Sequence, residues 1–234
     1  AKNVANFQDL IEFVTAYGAT YNPSKNSLKL PQLIALKASA DATLADVITK
    51  NTNYNNKVNE RITAFSGLKA YSTRLVNALQ TTDATPETVG NPKTFNRKLQ
   101  GKKASASQTP TDPNTPAPTT ISTSQQSYDQ LIQHLAGLNS VLEAETSYSP
   151  NETDLQVATI QAKIADLTAK NTAVATAYTS ISNSRIARNE TLYSSATGLV
   201  ETANEVKKYV KSVFGASSPQ FAQIKGIEFK KPKI

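Results

Sequence analysis

The chain contains no cysteine, methionine or tryptophan, only 8 glycines and a single histidine. Without cysteine there is no disulfide framework, no thiolate site for zinc or an iron–sulfur cluster, and no thiol nucleophile. So few glycines leave little room for phosphate-binding loops, and the patterns G-x-G-x-x-G, G-x-x-x-x-G-K-[ST] and G-x-S-x-G do not occur. These absences argue against nucleotide-cofactor folds and the common hydrolase sites.

Long apolar runs are also missing. No stretch approaches the roughly 18 consecutive apolar residues that a membrane-spanning helix needs, so the sequence predicts no such segment. The chain starts at Ala1-Lys2 without an initiator methionine, which fits methionine removal from a cytoplasmic protein. Signal-peptide cleavage fits as well. We favour a cytoplasmic location and leave a secreted one open.

One sequence pattern is present twice. Tyr21-Asn22-Pro23 and, 127 residues later, Tyr148-Ser149-Pro150 each precede a long segment with apolar residues at helical spacing. The apolar residues of the two segments correspond at the same offset, and the pairs are Leu28 with Leu155, Leu30 with Val157, Leu33 with Ile160, Ala40 with Leu167 and Val47 with Val174. Such a duplication predicts two copies of one helical hairpin that share a core.

In the first copy, the pattern predicts a helix over about residues 4–17 that stops at Gly18. A long helix follows the turn at Tyr21, with Pro31 in its first turn and a bend or break at Ser66-Gly67. Thr85-Pro86 then starts a short basic helix that fades near Gly101.

The second copy is predicted to start near Ser124. The segment Ser149-Pro150-Asn151-Glu152 is typical of a capping box, which predicts that the second long helix begins at Pro150. Its helical pattern continues to Phe214, and Gly215 closes it. The tail beyond is predicted to be a short turn with a strand-like strap, or a disordered segment.

These patterns predict an all-α fold: an elongated antiparallel helical bundle of two repeated long-helix hairpins joined by a Pro/Thr-rich tether. We expect one composite core, and part of the apolar stripe is a candidate homodimer surface. The predicted organisation is a first repeat at 1–102, a linker at 103–122, a second repeat at 123–215 packed on the first, and a basic tail at 216–234.

Several single residues have a plain structural interpretation. Asn51 and Asn171 occupy stripe positions, where asparagine sets helix register or marks a seam that reaches solvent. The tyrosines on or near the stripes are predicted to be core residues with a solvated hydroxyl, and they are Tyr54, Tyr178, Tyr193 and Tyr209. His134 is predicted to be a boundary residue. No Glu-x-x-His motif occurs, so we predict no metal, no cofactor and no catalytic residues.

Basic clusters are the most functional-looking feature of a chain whose formal net charge is +7. The first comprises Lys93, Arg97, Lys98, Lys102 and Lys103, the second Lys207, Lys208 and Lys211, and the third Lys225, Lys230, Lys231 and Lys233. Together they are candidate contacts for nucleic acid or another anionic surface. Alternatively, the lysines solubilise exposed helix ends and complement helix dipoles. The low arginine and aromatic content weakens base readout.

The segment NSRIARNETLYSSATGLVETANEVKKYVKSVFGASSPQFAQIKGIEF resembles all-helical proteins of Bacteroidetes-type bacteria that have no assigned function. This resemblance covers the second half of the chain best, and the first half follows only through the internal repeat. It implies a bacterial helical protein and no particular activity.

The sequence therefore predicts a non-enzymatic structural or protein-interaction bundle, with a protein partner or self-association and no evident small-molecule substrate. The alternative is a basic accessory protein that binds nucleic acid or another anionic surface. A pocket between helices, lined by Arg, Tyr and Asn, would instead favour an enzyme or ligand-binding protein.

Overall fold

The computed structural model describes residues 2–101 and 126–232. Every regular element in these ranges is helical, and no strand occurs in them, so the all-α prediction is confirmed. The α-helices are α1 (Lys2–Ala16), α2 (Leu30–Phe65), α3 (Leu68–Gln80), α4 (Pro86–Leu99), α5 (Tyr128–Ala144), α6 (Val157–Tyr193), α7 (Leu199–Phe214) and α8 (Pro219–Lys225). The predicted linker at 103–122 and the start near Ser124 lie outside the described residues.

Most predicted helix ends are confirmed. Gly18, one residue beyond Tyr17, has a φ of 59°, and Gly215 after α7 has a φ of 92°; both values favour glycine. Thr85 caps α4, and its hydroxyl oxygen accepts a hydrogen bond from the Thr88 N–H at 3.3 Å. The break at Ser66-Gly67 separates α2 from α3.

The predicted capping box at Ser149–Glu152 is wrong. Helix α6 begins at Val157, after a 3₁₀ turn over Thr153–Leu155, and a similar turn over Asn26–Leu28 precedes α2. A buried tyrosine hydroxyl holds each turn. The Tyr21 hydroxyl donates to the Leu28 carbonyl at 2.7 Å, and the Tyr148 hydroxyl donates to the Leu155 carbonyl at 2.8 Å. A buried hydroxyl needs a partner, so this bond positions the chain entering each long helix.

The prediction of a continuous helix to Phe214 is also wrong, because α6 ends at Tyr193 and α7 starts only at Leu199. Gly198 lies so close to the preceding turn that a Cβ atom on it would be 2.5 Å from the Ser194 backbone nitrogen. Only glycine fits this close approach, which allows the chain to turn between two helices. The tail likewise contains the unpredicted helix α8, and its residues 227–232 are non-helical.

The chain forms two compact units. Unit 1 comprises Ala1–Tyr54 and Ala177–Ile234, and it therefore contains the first part of α2 and the last part of α6. Its core combines side chains from α1, α2, α6, α7 and α8 that are almost fully buried, and they include Phe7, Leu10, Leu33, Leu192, Leu199, Val206 and Ile224. Burial of such apolar surface is the main force that stabilises the unit.

Unit 2 comprises Asn55–Thr176. Helix α4 packs against α3 and α5, and the core side chains include Phe65, Leu75, Leu79, Leu99, Leu138, Ile160 and Leu167. The α4–α5 contact is close, since a Cβ atom on Gly137 would be 2.5 Å from Cε1 of Phe95. Each unit combines segments from both sides of the predicted linker. The predicted domains instead follow the order of the chain, and that division stays a prediction.

Candidate interaction surfaces

The described residues of the first basic cluster lie on α4 in unit 2. The side chains of Lys93 and Arg97 are exposed and have no hydrogen bond or ion pair within the described part of the chain. Lys98 is half-buried, and its Nζ lies 5.9 Å from the centre of the Phe95 ring. The predicted contacts Lys102 and Lys103 lie outside the described residues. Among the described residues of this cluster, the free charges therefore lie in the second half of α4.

The second basic cluster lies on α7 in unit 1, where two of its three lysines contact the tail. The Lys207 Nζ donates to the carbonyls of Lys225, at 3.3 Å, and of Ile227. Lys211 lies 5.8 Å from the centre of the Phe221 ring. Burial lowers the pKa of Lys207, as expected for an ammonium group removed from water. Lys208 alone is exposed with no partner among the described residues.

The described lysines of the third basic cluster lie in the tail, beside the second cluster in unit 1, and Lys230 and Lys231 are ion-paired. The Lys230 Nζ lies 2.9 Å from the Glu228 carboxylate, and the Lys231 Nζ lies 3.6 Å from that of Glu201. The Lys225 carbonyl accepts from Lys207, and Lys233 lies outside the described residues. The structure thus brings the second and third clusters together, and most of their described ammonium groups have partners within unit 1.

Large apolar side chains on the long helices are exposed instead. In unit 1, Ile34 is 52% and Ile48 68% exposed on α2, while Tyr178 is 58% and Ile186 65% exposed on α6. The prediction that Tyr178 belongs to the core is wrong, although its ring lies 6.0 Å from that of Tyr54. No side chain of α2 between residues 41 and 64 is buried. The exposure of Tyr178 was not predicted because it lies on an apolar stripe, and such a stripe usually indicates a buried face.

A polar cluster in unit 2 surrounds Arg61. Its guanidinium carbon lies 4.0 Å from the centre of the Tyr128 ring, and its Nη1 donates to the Asn171 Oδ1 at 2.9 Å. The Asn171 Nδ2 in turn donates to the Asp129 carboxylate at 2.8 Å. Asn171 therefore joins its own helix, α6, to α2 and α5, whereas Asn51 is exposed to solvent.

An open depression in unit 2 lies along α2 and α6. It is lined by Asn56, Asn59, Glu60, Thr63, Ala64 and Lys170. Glu60 accepts hydrogen bonds from Lys57 at 2.8 Å and from Lys170 at 3.2 Å, and these bonds lower the pKa of its carboxyl group. Because the Glu60 carboxylate already has two cationic partners, it is not a free charged group that a ligand in the depression could bind.

His134 is buried, with 6% of its surface exposed, so its assignment as a boundary residue is wrong. Helix α4 packs along α5, and burial together with the charge of Lys98 lowers the pKa of His134. Within the described part of the chain, the histidine Nε2 has no hydrogen-bond partner. Among the described residues, no group of three or more His, Asp or Glu side chains is placed to hold a metal ion.

Comparison of the chain with protein-family models, curated proteins and solved structures found no match. Within the described ranges, no helix has both the length and the apolar character required to cross a membrane.

Proposed function

We propose that this protein is a non-enzymatic helical scaffold that binds a protein partner through the exposed apolar side chains of unit 1. The carrying observation is that Ile48 and Ile186, on α2 and α6, are each about two-thirds exposed, at 68% and 65%. Burial of an isoleucine side chain contributes about 1.5–3 kcal/mol relative to leaving it in water. A partner that covered both side chains would gain this free energy on binding.

A partner capture experiment tests the proposal. The tagged chain is incubated with native lysate at about 50 and about 300 mM salt, after nuclease treatment. We expect a stoichiometric protein partner that is retained at both salt concentrations, because apolar burial is not screened by salt. The double variant Ile48→Ser/Ile186→Ser should lose that partner. Thr49→Ser/Ala187→Ser, at neighbouring exposed positions, is the matched control and should retain it. Equal retention by both double variants would refute the proposal.

The proposal also includes a duplicated architecture. The hydrogen bonds of Tyr21 and Tyr148 span the same number of residues, and the buried pairs Leu28 with Leu155 and Leu33 with Ile160 keep the offset of the sequence pattern. These correspondences support two copies of one helical hairpin. Their assembly into one elongated antiparallel bundle is part of this proposal, and small-angle X-ray scattering tests it.

A second candidate function is binding of nucleic acid through α4. It is favoured by Lys93 and Arg97, whose side chains have no partner among the described residues, in contrast to the ion-paired Lys230 and Lys231 of the tail. We expect Lys93→Glu/Arg97→Glu to weaken binding of a labelled DNA duplex and to reduce the salt slope of its affinity by about 1–2. Lys208→Glu, which reverses the charge of one exposed lysine on α7, is the control for a charge change away from α4. An unchanged salt slope in the double variant would exclude α4 as the binding surface.

A further inference from the structure

Residues 226–232, called the strap here, follow α8 and run between α1 and α7 in unit 1. Two asparagines of α1 contact the strap backbone on one side. The Asn3 Nδ2 donates to the Lys230 carbonyl at 2.7 Å while its Oδ1 accepts from the Lys230 N–H at 3.1 Å. The Asn6 Nδ2 donates to the Glu228 carbonyl at 2.7 Å. These two asparagines of α1 therefore bind the peptide groups of the strap and not its side chains.

Helix α7 contacts the opposite edge of the same backbone. The Lys207 Nζ donates to the Ile227 carbonyl, whereas the next carbonyl, that of Glu228, accepts from Asn6 on α1. Alternation of successive carbonyls between two sides is the geometry of an extended chain. The groove between α1 and α7 thus binds the strap as a domain binds an extended peptide.

Side chains of the strap add modest apolar contacts. The Phe229 ring packs edge-on against Phe7 at 6.4 Å, and the Lys207 ammonium lies 5.5 Å from the centre of the Phe229 ring. Ile227 and Phe229 are only half-buried, and the paired side chains of Lys230 and Glu228 are 76% and 64% exposed. A segment with so little buried surface detaches at a low free-energy cost, whereas Ile224 in α8 is fully buried and keeps the preceding helix in place.

We propose that the α1–α7 groove is a peptide-binding site that also takes the strap of a second copy of this chain. The groove fits the strap through peptide groups, an aromatic contact and the exposed pair of Lys231 with Glu201. Every copy of the chain carries both the groove and the strap. Reciprocal exchange between two copies restores all of these contacts and closes a symmetric dimer.

The protein concentration decides whether the strap binds in the groove of its own chain or in that of a second copy. Within one chain the short connection to α8 gives the strap an effective concentration of the order of millimolar, so its own groove is filled in dilute solution. Exchange replaces each contact by an identical one from the other copy, so the dimer is expected to accumulate as the protein concentration rises. This surface is separate from the exposed residues of α2 and α6, and its test is independent of the proposed partner.

The absence of native cysteine makes a selective cross-linking test possible. Two full-length variants, Glu201→Cys with an affinity tag and Lys231→Cys without one, are mixed, incubated and treated with a short bismaleimide. We expect a cross-linked heterodimer whose yield rises with protein concentration.

Two controls make the result decisive. Lys208→Cys, an exposed position on the same helix, replaces Glu201→Cys and should give about tenfold less heterodimer, since effective concentration depends on geometry. The double variant Glu201→Cys/Lys231→Cys should cross-link within one chain in dilute solution. Internal cross-linking without any heterodimer would show that the strap is a fixed part of its own chain. Equal heterodimer yields from Lys208→Cys and Glu201→Cys, or no internal cross-link, would equally overturn the proposal.

Discussion

Alanine at Gly137 tests the close packing of α4 on α5. A Cβ atom there would lie 2.5 Å from Cε1 and 2.6 Å from Cζ of Phe95, whereas carbon atoms in contact are about 3.5–4.0 Å apart. Alanine in a helix interior is more favourable than glycine by about 1 kcal/mol. Overpacking costs about 1–3 kcal/mol, because the ring must move within a packed interface. We therefore expect Gly137→Ala to lower the free energy of unfolding by about 1 kcal/mol.

Gly90 provides a matched control in the partner helix. It is an exposed residue of α4, and an added Cβ atom would have no neighbour within 4 Å. Only the helix propensity changes at this site, so Gly90→Ala should raise the free energy of unfolding by about 1 kcal/mol. The same substitution thus has opposite signs on the two helices, and the two variants should differ by about 2 kcal/mol.

Urea denaturation followed by far-UV circular dichroism measures both variants against the unchanged chain. A Gly137→Ala variant as stable as the Gly90→Ala variant would refute the reasoning. In that case the Phe95 ring moves without cost, and the α4–α5 interface is not closely packed.

Three further predictions concern individual polar groups. Burial raises the pKa of Tyr148 to about 12, so its hydroxyl is a hydrogen-bond donor at neutral pH. Tyr148→Phe and Tyr21→Phe should each lower the free energy of unfolding by about 1 kcal/mol, as measured by urea denaturation. Clearly unequal losses of stability in the two variants would count against equivalent turns. Because burial lowers the folded-state pKa of His134 below its ordinary value of 6.5, the unfolded chain binds the proton more readily. Stability is therefore complete above that value and falls as the pH drops below it, and His134→Gln should flatten this slope in pH-dependent thermal unfolding. A double-mutant cycle of Arg61→Ala and Asn171→Ala should give a coupling of about 0.5–3 kcal/mol, and additive effects would show that their hydrogen bond contributes nothing.

Local signals in the sequence predicted most helix ends correctly. Thr85 with the proline after it, Gly18 and Gly215 each act on the few residues around them, so their effect does not depend on the rest of the fold. The Ser149–Glu152 segment misled for a related reason. Its residue types fit a cap, but the buried hydrogen bond of Tyr148 holds this stretch as a turn and delays the helix to Val157.

Burial was harder to predict than helicity. His134 and Tyr178 both lie on amphipathic helices, yet the histidine is buried and the tyrosine is 58% exposed. Spacing in the sequence shows which side chains share a helix face, but a face is buried only where another element covers it. For His134 that element is α4, whose position on α5 follows from contacts such as Phe95 with Gly137.

The basic residues illustrate the same limit. The sequence by itself determined that the chain is helical, that it carries three lysine-rich clusters, and that cysteine chemistry is absent, since these follow from composition and local spacing. Only the tertiary structure decided that Lys207 and Lys231 contact groups within unit 1, while Lys93 and Arg97 have no partner among the described residues. The physical reason is that ion pairs and peptide-group contacts join residues distant in the chain, and folding alone brings these residues within reach.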